Sequence, residues 1–534
     1  MKGGILIIDY GSQYTQLIAR RVREMNVYCE IHPFNKISKI IIEKNKPKGF
    51  ILSGGPNSVL DKNSPKIPKI ILNMNIPILG ICYGLQILAK TFGGKINKSS
   101  LREYGFAKLK ILSKSLIVPT EWYKKSPRIW MSHGDHVKKI PKNYDIIAMS
   151  NNKIISIIEN KNDKIYGLQF HPEVHHTEYG NKVIKNFLFK VCVVEKNWVL
   201  EDFIKKQIKI IKETVNDHKV ICALSGGVDS SVTAYLLHKA IGKNLFCIFV
   251  DNGLLRKGEA IEVCNFYKKK FNKNFFKINA SNIFIKRLKN ISNPETKRKI
   301  IGKTFIEIFD KEAKKIKNVK YLAQGTLYPD IIESVSFFGG PSAKIKSHHN
   351  VGGLPNKMKL KILEPLKELF KDEVRVLGLK LGINKELIMR HPSPGPALAI
   401  RIPGSINNYK ISLLQNIDKI YIDFLKEKKL YNNIWQAFAV LLPIKSVGVM
   451  GDERTYDYCC SLRAVTSVDG MTADFYLFKK DEFTEISNRI INNVKGINRV
   501  LFDFTSKPPG TIEWEWHLFL KSLKVLYKYL LIIK

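Results

Sequence analysis

Short apolar runs alternate along this chain with longer amphipathic stretches. The runs at 4–10 (GILIIDY), 49–53 (GFILS), 76–81 (IPILGI) and 165–170 (IYGLQF) end at or next to Gly, Ser, Asp or His. Buried strands whose carboxyl ends carry function read this way. Helical stretches lie between them, for instance Gln13 to Met25. Residues 1–195 are therefore expected to form an α/β domain with a mainly parallel sheet.

The same texture returns after Trp198, with a helix predicted over 200–216, a strand over 219–224 (KVICAL), a helix over 229–240, and strands over 245–250 (LFCIFV) and 319–323 (VKYLA). This predicts a second α/β domain, 196–391. The run His391-Pro392-Ser393-Pro394-Gly395-Pro396 cannot continue a helix and marks a boundary. Beyond it come a strand-like 398–402, a helix over 408–428 and mixed strands up to 515, as in a smaller α+β domain over 392–515. The overall class is α/β.

A chain of 534 residues is too long for one hydrophobic core. With 45% hydrophobic and 25% charged residues, most of it should fold. The net charge of +41 raises the question of a nucleic-acid partner. The lysines are scattered with Ile and Asn, as at 161–164 and 268–273, and form no single stripe. No nucleic-acid partner is expected. The eight cysteines form no CxxC pair and no metal-ligand spacing, and no cleavable signal opens the chain. A reducing cytoplasm fits these features, and no run reaches the ~18 residues of a membrane span.

Three strings in the first domain carry chemistry. In Gly80-Ile81-Cys82-Tyr83-Gly84-Leu85-Gln86 a strand turns sharply into a helix, and the glycines let the backbone crowd so that Cys82 projects at the helix N-terminus. A thiolate is favoured there, although a buried structural cysteine fits the turn alone equally well. Gln169-Phe170-His171-Pro172-Glu173 supplies an imidazole next to a carboxylate, the pair a thiol nucleophile needs. Ser53-Gly54-Gly55-Pro56 offers backbone N–H groups for an oxyanion, together with the N–H of Tyr83.

Together these strings resemble the class I glutamine amidotransferases over residues 4–192. The resemblance implies a flavodoxin-like fold, with Cys82 as nucleophile, His171 as base and Glu173 as its orienter. It places Gly55, Tyr83, Gln86 and the MSHGD residues Ser132, His133, Gly134 and Asp135 at the oxyanion and the glutamine substrate. His175 and His176 are expected at the surface.

In the second domain Ser225-Gly226-Gly227-Val228-Asp229-Ser230-Ser231 follows a strand and opens a helix, so its N–H groups and hydroxyls can cradle an anion. It lacks the GxxxxGK[ST] spacing of γ-phosphate transfer. The string resembles the loop of the ATP pyrophosphatases, which implies an adenine-nucleotide α-hydrolase-like fold, ATP binding by residues 225–231 with Val250 and Asp251, and adenylyl transfer. Asp229 would be a Mg²⁺ ligand when ATP brings the metal. No tightly bound cofactor is expected, and His348 with His349 lacks a third ligand for zinc.

The segments 322–330 (LAQGTLYPD), 345–355 (IKSHHNVGGLP), 446–452 (SVGVMGD) and 506–515 (SKPPGTIEWE) resemble the glutamine-hydrolysing GMP synthetases in one continuous order. This implies XMP, ATP and glutamine as substrates and a homodimer through 392–515. Arg256, Asp330, Lys507 and Glu513 would contact XMP, and 334–355 would form a lid. A ligase making NAD from its acid precursor should lack KSHHNVGGLP and KPPGTIEWE. An RNA-thiolating protein should show cysteine pairs or a clustered basic surface. Ser393 and Ala397 depart from the family's usual Phe and Gly. Residues 516–534 (WHLFLKSLKVLYKYLLIIK) extend past its usual end, with His517, Lys521, Lys524 and Lys528 on one helical face. Both an interfacial helix and a docked or frayed extension fit that pattern.

Overall fold

The computed structural model describes residues 3–334, 360–450, 452–467, 473–507 and 509–515. Most of the expected lid 334–355, including His348 and His349, and the whole 516–534 extension lie outside them. The described chain divides into two compact units. One takes in residues up to 205 together with the helix Tyr328–Ser334, and the other takes in the remainder.

The first unit is built on a nine-stranded sheet. Its strands are β1 (Ile5–Asp9), β2 (Cys29–Pro33), β3 (Gly49–Leu52), β4 (Ile78–Ile81), β5 (Lys95–Ile111), β6 (Arg128–Lys139), β7 (Asp145–Ser150), β8 (Ile155–Asn160) and β9 (Ile165–Leu168), in the order β2-β1-β3-β4-β9-β8-β7-β5-β6. The half from β2 to β9 is parallel. Its strands β1, β3, β4 and β9 are buried along their whole length, and each is a continuous apolar run for that reason. The half from β9 to β6 is antiparallel, so the expectation of a mainly parallel sheet covers only part of the domain.

In the second unit a parallel sheet runs β12 (Phe275–Asn279), β11 (Leu245–Asp251), β10 (Lys219–Leu224), β13 (Val319–Ala323), β14 (Lys361–Leu363). The chain lays strands to one side of β10 and then to the other. The carboxyl end of β10 is thus a topological switch point, where ligands of such sheets bind. A mixed sheet follows, with the long antiparallel pair β15 (Gln436–Met450) and β16 (Glu453–Thr466), short β17 (Asp474–Phe475), and β18 (Ile497–Phe502) parallel to β16. The helix Asn408–Glu427 packs on β15, and a single apolar core runs from Ile221 and Ile248 through Leu398 and Ile417 to Leu462. That continuous core joins what the sequence divides at 391/392.

Residues 398–402 are not the expected strand. Ala397–Arg401 is a 3₁₀ turn, because Ala397 takes φ +53° after Pro394-Gly395-Pro396 and the apolar run is buried against the core without a partner strand. Among the described residues no helix is long and apolar enough to cross a membrane.

Candidate active sites

Cys82 stands between β4 and the helix Tyr83–Thr91 with φ +52° and ψ −103°, a conformation that L residues rarely adopt. The flanking glycines allow it. A Cβ on Gly80 would come within 2.5 Å of the Gly84 backbone, and one on Gly84 within 2.4 Å of the Leu52 carbonyl. The Cys82 N–H is fixed to the Leu168 carbonyl at 2.6 Å, at the end of β9. The strand carrying the base therefore also anchors the nucleophile.

Just beyond that anchor point the chain places His171 and Glu173, both buried. His171 Nδ1 lies 2.7 Å from Glu173 Oε1, and the Cys82 thiol is the ring's other electrostatic neighbour. Burial by itself favours the neutral ring, but the Glu173 carboxylate and the Cys82 sulfur together push His171 up to about 10. The backbone around the pair is tied at several points. His171 N–H donates to the Trp130 carbonyl at 3.0 Å, Thr177 Oγ1 donates to the His171 carbonyl at 2.6 Å, and Arg21 Nε donates to the Glu173 carbonyl at 3.0 Å. Tyr14 meets the imidazole edge-on with ring centroids 4.9 Å apart.

The 53–56 loop sits against this pair, since a Cβ on Gly54 would come 3.2 Å from His171 Cε1. A Cβ on Gly55 would meet the Tyr10 carbonyl at 2.8 Å. The backbone can approach this closely only without side chains. On the other side the Ser132 carbonyl lies 3.6 Å from Cys82 Sγ. Gln86 Nε2 donates to the Asp135 carbonyl at 2.7 Å and to Gln169 Oε1 at 3.3 Å, and the Asp135 carboxylate accepts from Ser58 Oγ. His133 is buried beside Glu103 at 3.3 Å, and burial pulls it below its ordinary value. A Cβ on Gly134 would meet open space. His175 is exposed, whereas His176 packs half-buried on Trp130 with centroids 4.6 Å apart.

In the second unit, residues 225–231 join β10 to the helix Val228–Ile241 at the switch point. Gly226 turns the chain with φ +80°. The hydroxyls of Ser225 and Ser230 are 3.0 Å apart, Gly227 N–H donates to Ser225 Oγ at 3.2 Å, and Ser231 Oγ donates to the Gly227 carbonyl at 2.6 Å. The loop is thereby braced before any anion arrives. Val250 is buried in β11, and at its end Asp251 Oδ1 accepts from Gly253 N–H at 3.1 Å.

Asp229 is half-exposed, and Lys371 Nζ lies 2.6 Å from each of its carboxylate oxygens. Lys371 opens the helix Lys371–Lys380, which packs on the loop's own helix so closely that a Cβ on Gly378 would meet Val232 Cγ2 at 2.9 Å. Lys371 escapes the sequence reading. Its signal is a cation in a helix's first turn, where the macrodipole favours anions. Arg21 and Gln169 escape it as well. Among the described residues no group of three His, Cys, Asp or Glu could hold a metal. Both Asp229 oxygens are engaged by Lys371, so a magnesium ion bound mainly through phosphate oxygens would take one of them by displacing half of that contact.

Of the residues assigned to XMP, Arg256, Lys507 and Glu513 lie in the second unit, each with partners there. Arg256 contacts Asp418 at 3.3 Å and donates to the Ala437 carbonyl at 3.2 Å. Glu513 is 5% exposed. Its carboxylate accepts from Arg401 Nη2 at 2.8 Å and Nε at 3.2 Å, and from Gln436 Nε2 at 2.7 Å. Its charge is thus matched inside the protein. Lys507 pairs with Ala473 through two backbone hydrogen bonds. Asp330 lies on the helix Tyr328–Ser334, in the unit of the first site.

Residues 6–191 match the family described as glutamine amidotransferase class-I, and residues 423–514 match the GMP synthase C terminal domain. Residues 218–274 match the tRNA methyl transferase HUP domain. The chain is 54% identical over 511 residues to the GMP synthase [glutamine-hydrolyzing] of Brachyspira hyodysenteriae, covering 96% of this chain and 99% of that one. It is 52% identical to the protein of the same name from Sinorhizobium fredii, over 96% and 98% of the two chains.

Proposed function

The chain belongs to the glutamine-hydrolysing GMP synthase family, and we propose that it divides the reaction between two sites, one that frees ammonia and one that uses it. It makes GMP from XMP, ATP and glutamine, releasing AMP and pyrophosphate. The observation that carries the division of labour is the presence, in one chain, of a strained thiol paired to a buried imidazole and a phosphate loop without a Walker lysine.

At the first site Cys82 Sγ attacks the amide carbon of glutamine with its proton already resting on His171, whose ring Glu173 and Cys82 hold protonated. The proton goes on to the leaving nitrogen, and ammonia departs. Glu173 holds the ring through Nδ1, so that Nε2 is the atom that works on sulfur and nitrogen. The N–H groups of Gly55 and Tyr83 receive the developing oxyanion. Gln86 and residues 132–135 shape the place for glutamine. Water then hydrolyses the thioester to glutamate.

At the second site the loop 225–231 holds the phosphates, and Val250 and Asp251 border the nucleotide. The xanthine O2 of XMP attacks the α-phosphorus and pyrophosphate leaves. Ammonia then adds at C2 and AMP leaves. Magnesium carried by ATP would be held by Asp229, and its charge would offset that of the phosphates. Lys371 is the cation that holds Asp229 in place and faces the same anions. Arg256, Asp330 and Lys507 contact XMP in this reading, whereas Glu513 contributes by keeping Arg401 and the last segment in register.

Dimerisation through the 392–515 region is supported by the apolar face of the β15–β16 pair, where Val447, Val449 and Tyr456 are 58%, 71% and 64% exposed. We place the protein in the cytoplasm. A steady-state assay with XMP, ATP, Mg²⁺ and glutamine, reading GMP, AMP and pyrophosphate together, tests the whole scheme. One AMP and one pyrophosphate per GMP are expected, and ADP with phosphate would overturn it.

A further inference from the structure

Arg463 lies near the carboxyl end of β16 with its side chain fully buried. Its guanidinium does not serve the sheet. Nε donates to the Ile512 carbonyl at 3.0 Å, Nη1 to the Asp503 carbonyl at 3.2 Å, and Nη2 to the carbonyls of Thr505 at 2.7 Å and Thr511 at 3.2 Å. Nη1 also pairs with the Asp503 carboxylate at 2.9 Å. Four carbonyls from both arms of one arc, 503–505 and 511–512, converge on a single planar cation.

The Ile512 carbonyl is buried at this contact and the other three contacts are partly buried, so without the guanidinium one carbonyl would lose its donor and the mutual repulsion of the four would open the arc. A fork of five N–H groups can satisfy several directions in one plane, whereas an ammonium has three donors on a point charge. Between the two arms lies Lys507, whose backbone pairs with that of Ala473. Fixing both arms therefore fixes where Lys507 stands.

We propose that Arg463 is a positioning residue for XMP, acting through the loop it gathers and hence through Lys507. The inference rests on the reading of Lys507 as an XMP contact. Arg463 itself touches no substrate, because its donors are engaged within the protein.

The test uses the full-length enzyme with ammonium as nitrogen source, so that glutamine hydrolysis does not limit the rate. Arg463→Lys, Asp503→Asn and Lys507→Ala are compared, together with the Arg463→Lys/Lys507→Ala double variant. Arg463→Lys should raise KM for XMP about 10-fold while leaving kcat at saturating XMP and KM for ATP within about 2-fold. Asp503→Asn, which keeps the shape and removes the ion pair, should shift KM for XMP in the same direction by about 3-fold. The double variant should be no worse than Lys507→Ala, because the two residues act in series. If Arg463→Lys does not fold, Asp503→Asn decides alone. The inference is overturned if Lys507→Ala weakens XMP and neither other single variant does, or if Arg463→Lys raises both KM values alike. An unchanged KM for XMP in Lys507→Ala would instead overturn the underlying reading of Lys507.

Discussion

Lys371 and Asp229 are 142 positions apart in the chain, yet the lysine nitrogen is equidistant, at 2.6 Å, from both carboxylate oxygens. The pair joins two helix N-termini, that of Val228–Ile241, where Asp229 gains from the macrodipole, and that of Lys371–Lys380, where Lys371 is opposed by it. The Asp229 carboxylate therefore offsets the unfavourable placement of Lys371. Asp229→Ala and Lys371→Met should each lower GMP synthesis by roughly 10²-fold or more from either glutamine or ammonium. Unchanged ammonium-driven synthesis in either variant would reject that residue's assignment.

The thiol site predicts the opposite dependence on nitrogen source. Cys82→Ala should reduce glutamine-driven synthesis by at least about 10³-fold, since no other group supplies the nucleophile. Synthesis from high ammonium should continue at the parent rate. Loss of both activities in a folded variant would show that the two sites do not divide the work.

Glu173 sets the protonation of His171, and this has a measurable sign. Between the ordinary histidine value of about 6.5 and the folded value of about 10, the native ring binds a proton that the unfolded chain does not. Stability from this pair is present in full below pH 6.5 and is lost as pH rises toward 10. Glu173→Gln removes the carboxylate and leaves burial, which favours the neutral ring. The parent's thermal midpoint should therefore fall more steeply from pH 7 to 10 than that of the variant. Parallel curves would show that His171 is not the titrating group.

The parts of the first site were legible because each is local. Cys82, His171 and Glu173 each sit in a short string at a strand end, and such ends are where buried apolar runs stop. The parallel strands β1, β3, β4, β9, β10, β11 and β13 were legible for the same reason. The 17-residue β5 (KINKSSLREYGFAKLKI) was not, because an antiparallel strand with one wet face carries lysines throughout and has no apolar run. Residues 398–402 misled in the other direction, since a buried 3₁₀ turn and a buried strand have the same composition. Lys371, Arg401 and Arg463 stayed hidden because what distinguishes them from surface cations is a partner that only the fold brings near.

His391, at the boundary read from the proline cluster, makes an acid-side prediction. Its ring stacks on Tyr431 at 3.8 Å, Nδ1 accepts from Ala437 N–H at 3.1 Å, and Nε2 lies 2.9 Å from the Tyr431 carbonyl. Both nitrogens are satisfied by the neutral ring, and burial pulls His391 down to about 4. Between pH 4 and 6.5 the unfolded chain binds the extra proton. Stability is therefore complete above pH 6.5 and is lost as pH falls toward 4, by on the order of 3 kcal/mol. His391→Asn, which keeps an acceptor at the Nδ1 position, should flatten that part of the denaturation profile. An unaltered acid slope would exclude His391 as its source.

Residues 516–534 extend past the strings shared with the family, and the segment just before them is held firmly. Lys297, with its side chain fully buried, donates to the carbonyls of Ala399 at 3.0 Å and Ile402 at 2.7 Å and to the Glu515 carboxylate at 2.9 Å, while Arg298 donates to the Glu515 carbonyl. Glu513 is gripped by Arg401 two residues earlier. These anchors lie entirely before position 516, so the register of residues 513–515 is set without the extension. Ending the chain at Glu515 would put a terminal carboxylate in place of a peptide carbonyl beside Arg298, which strengthens that contact. Truncation after Glu515 should therefore leave KM for XMP unchanged or up to about 3-fold lower, with kcat preserved and the protein still in solution. A loss of GMP synthesis greater than about 10-fold in a folded truncated enzyme would mean that the extension contributes to the site or to the dimer.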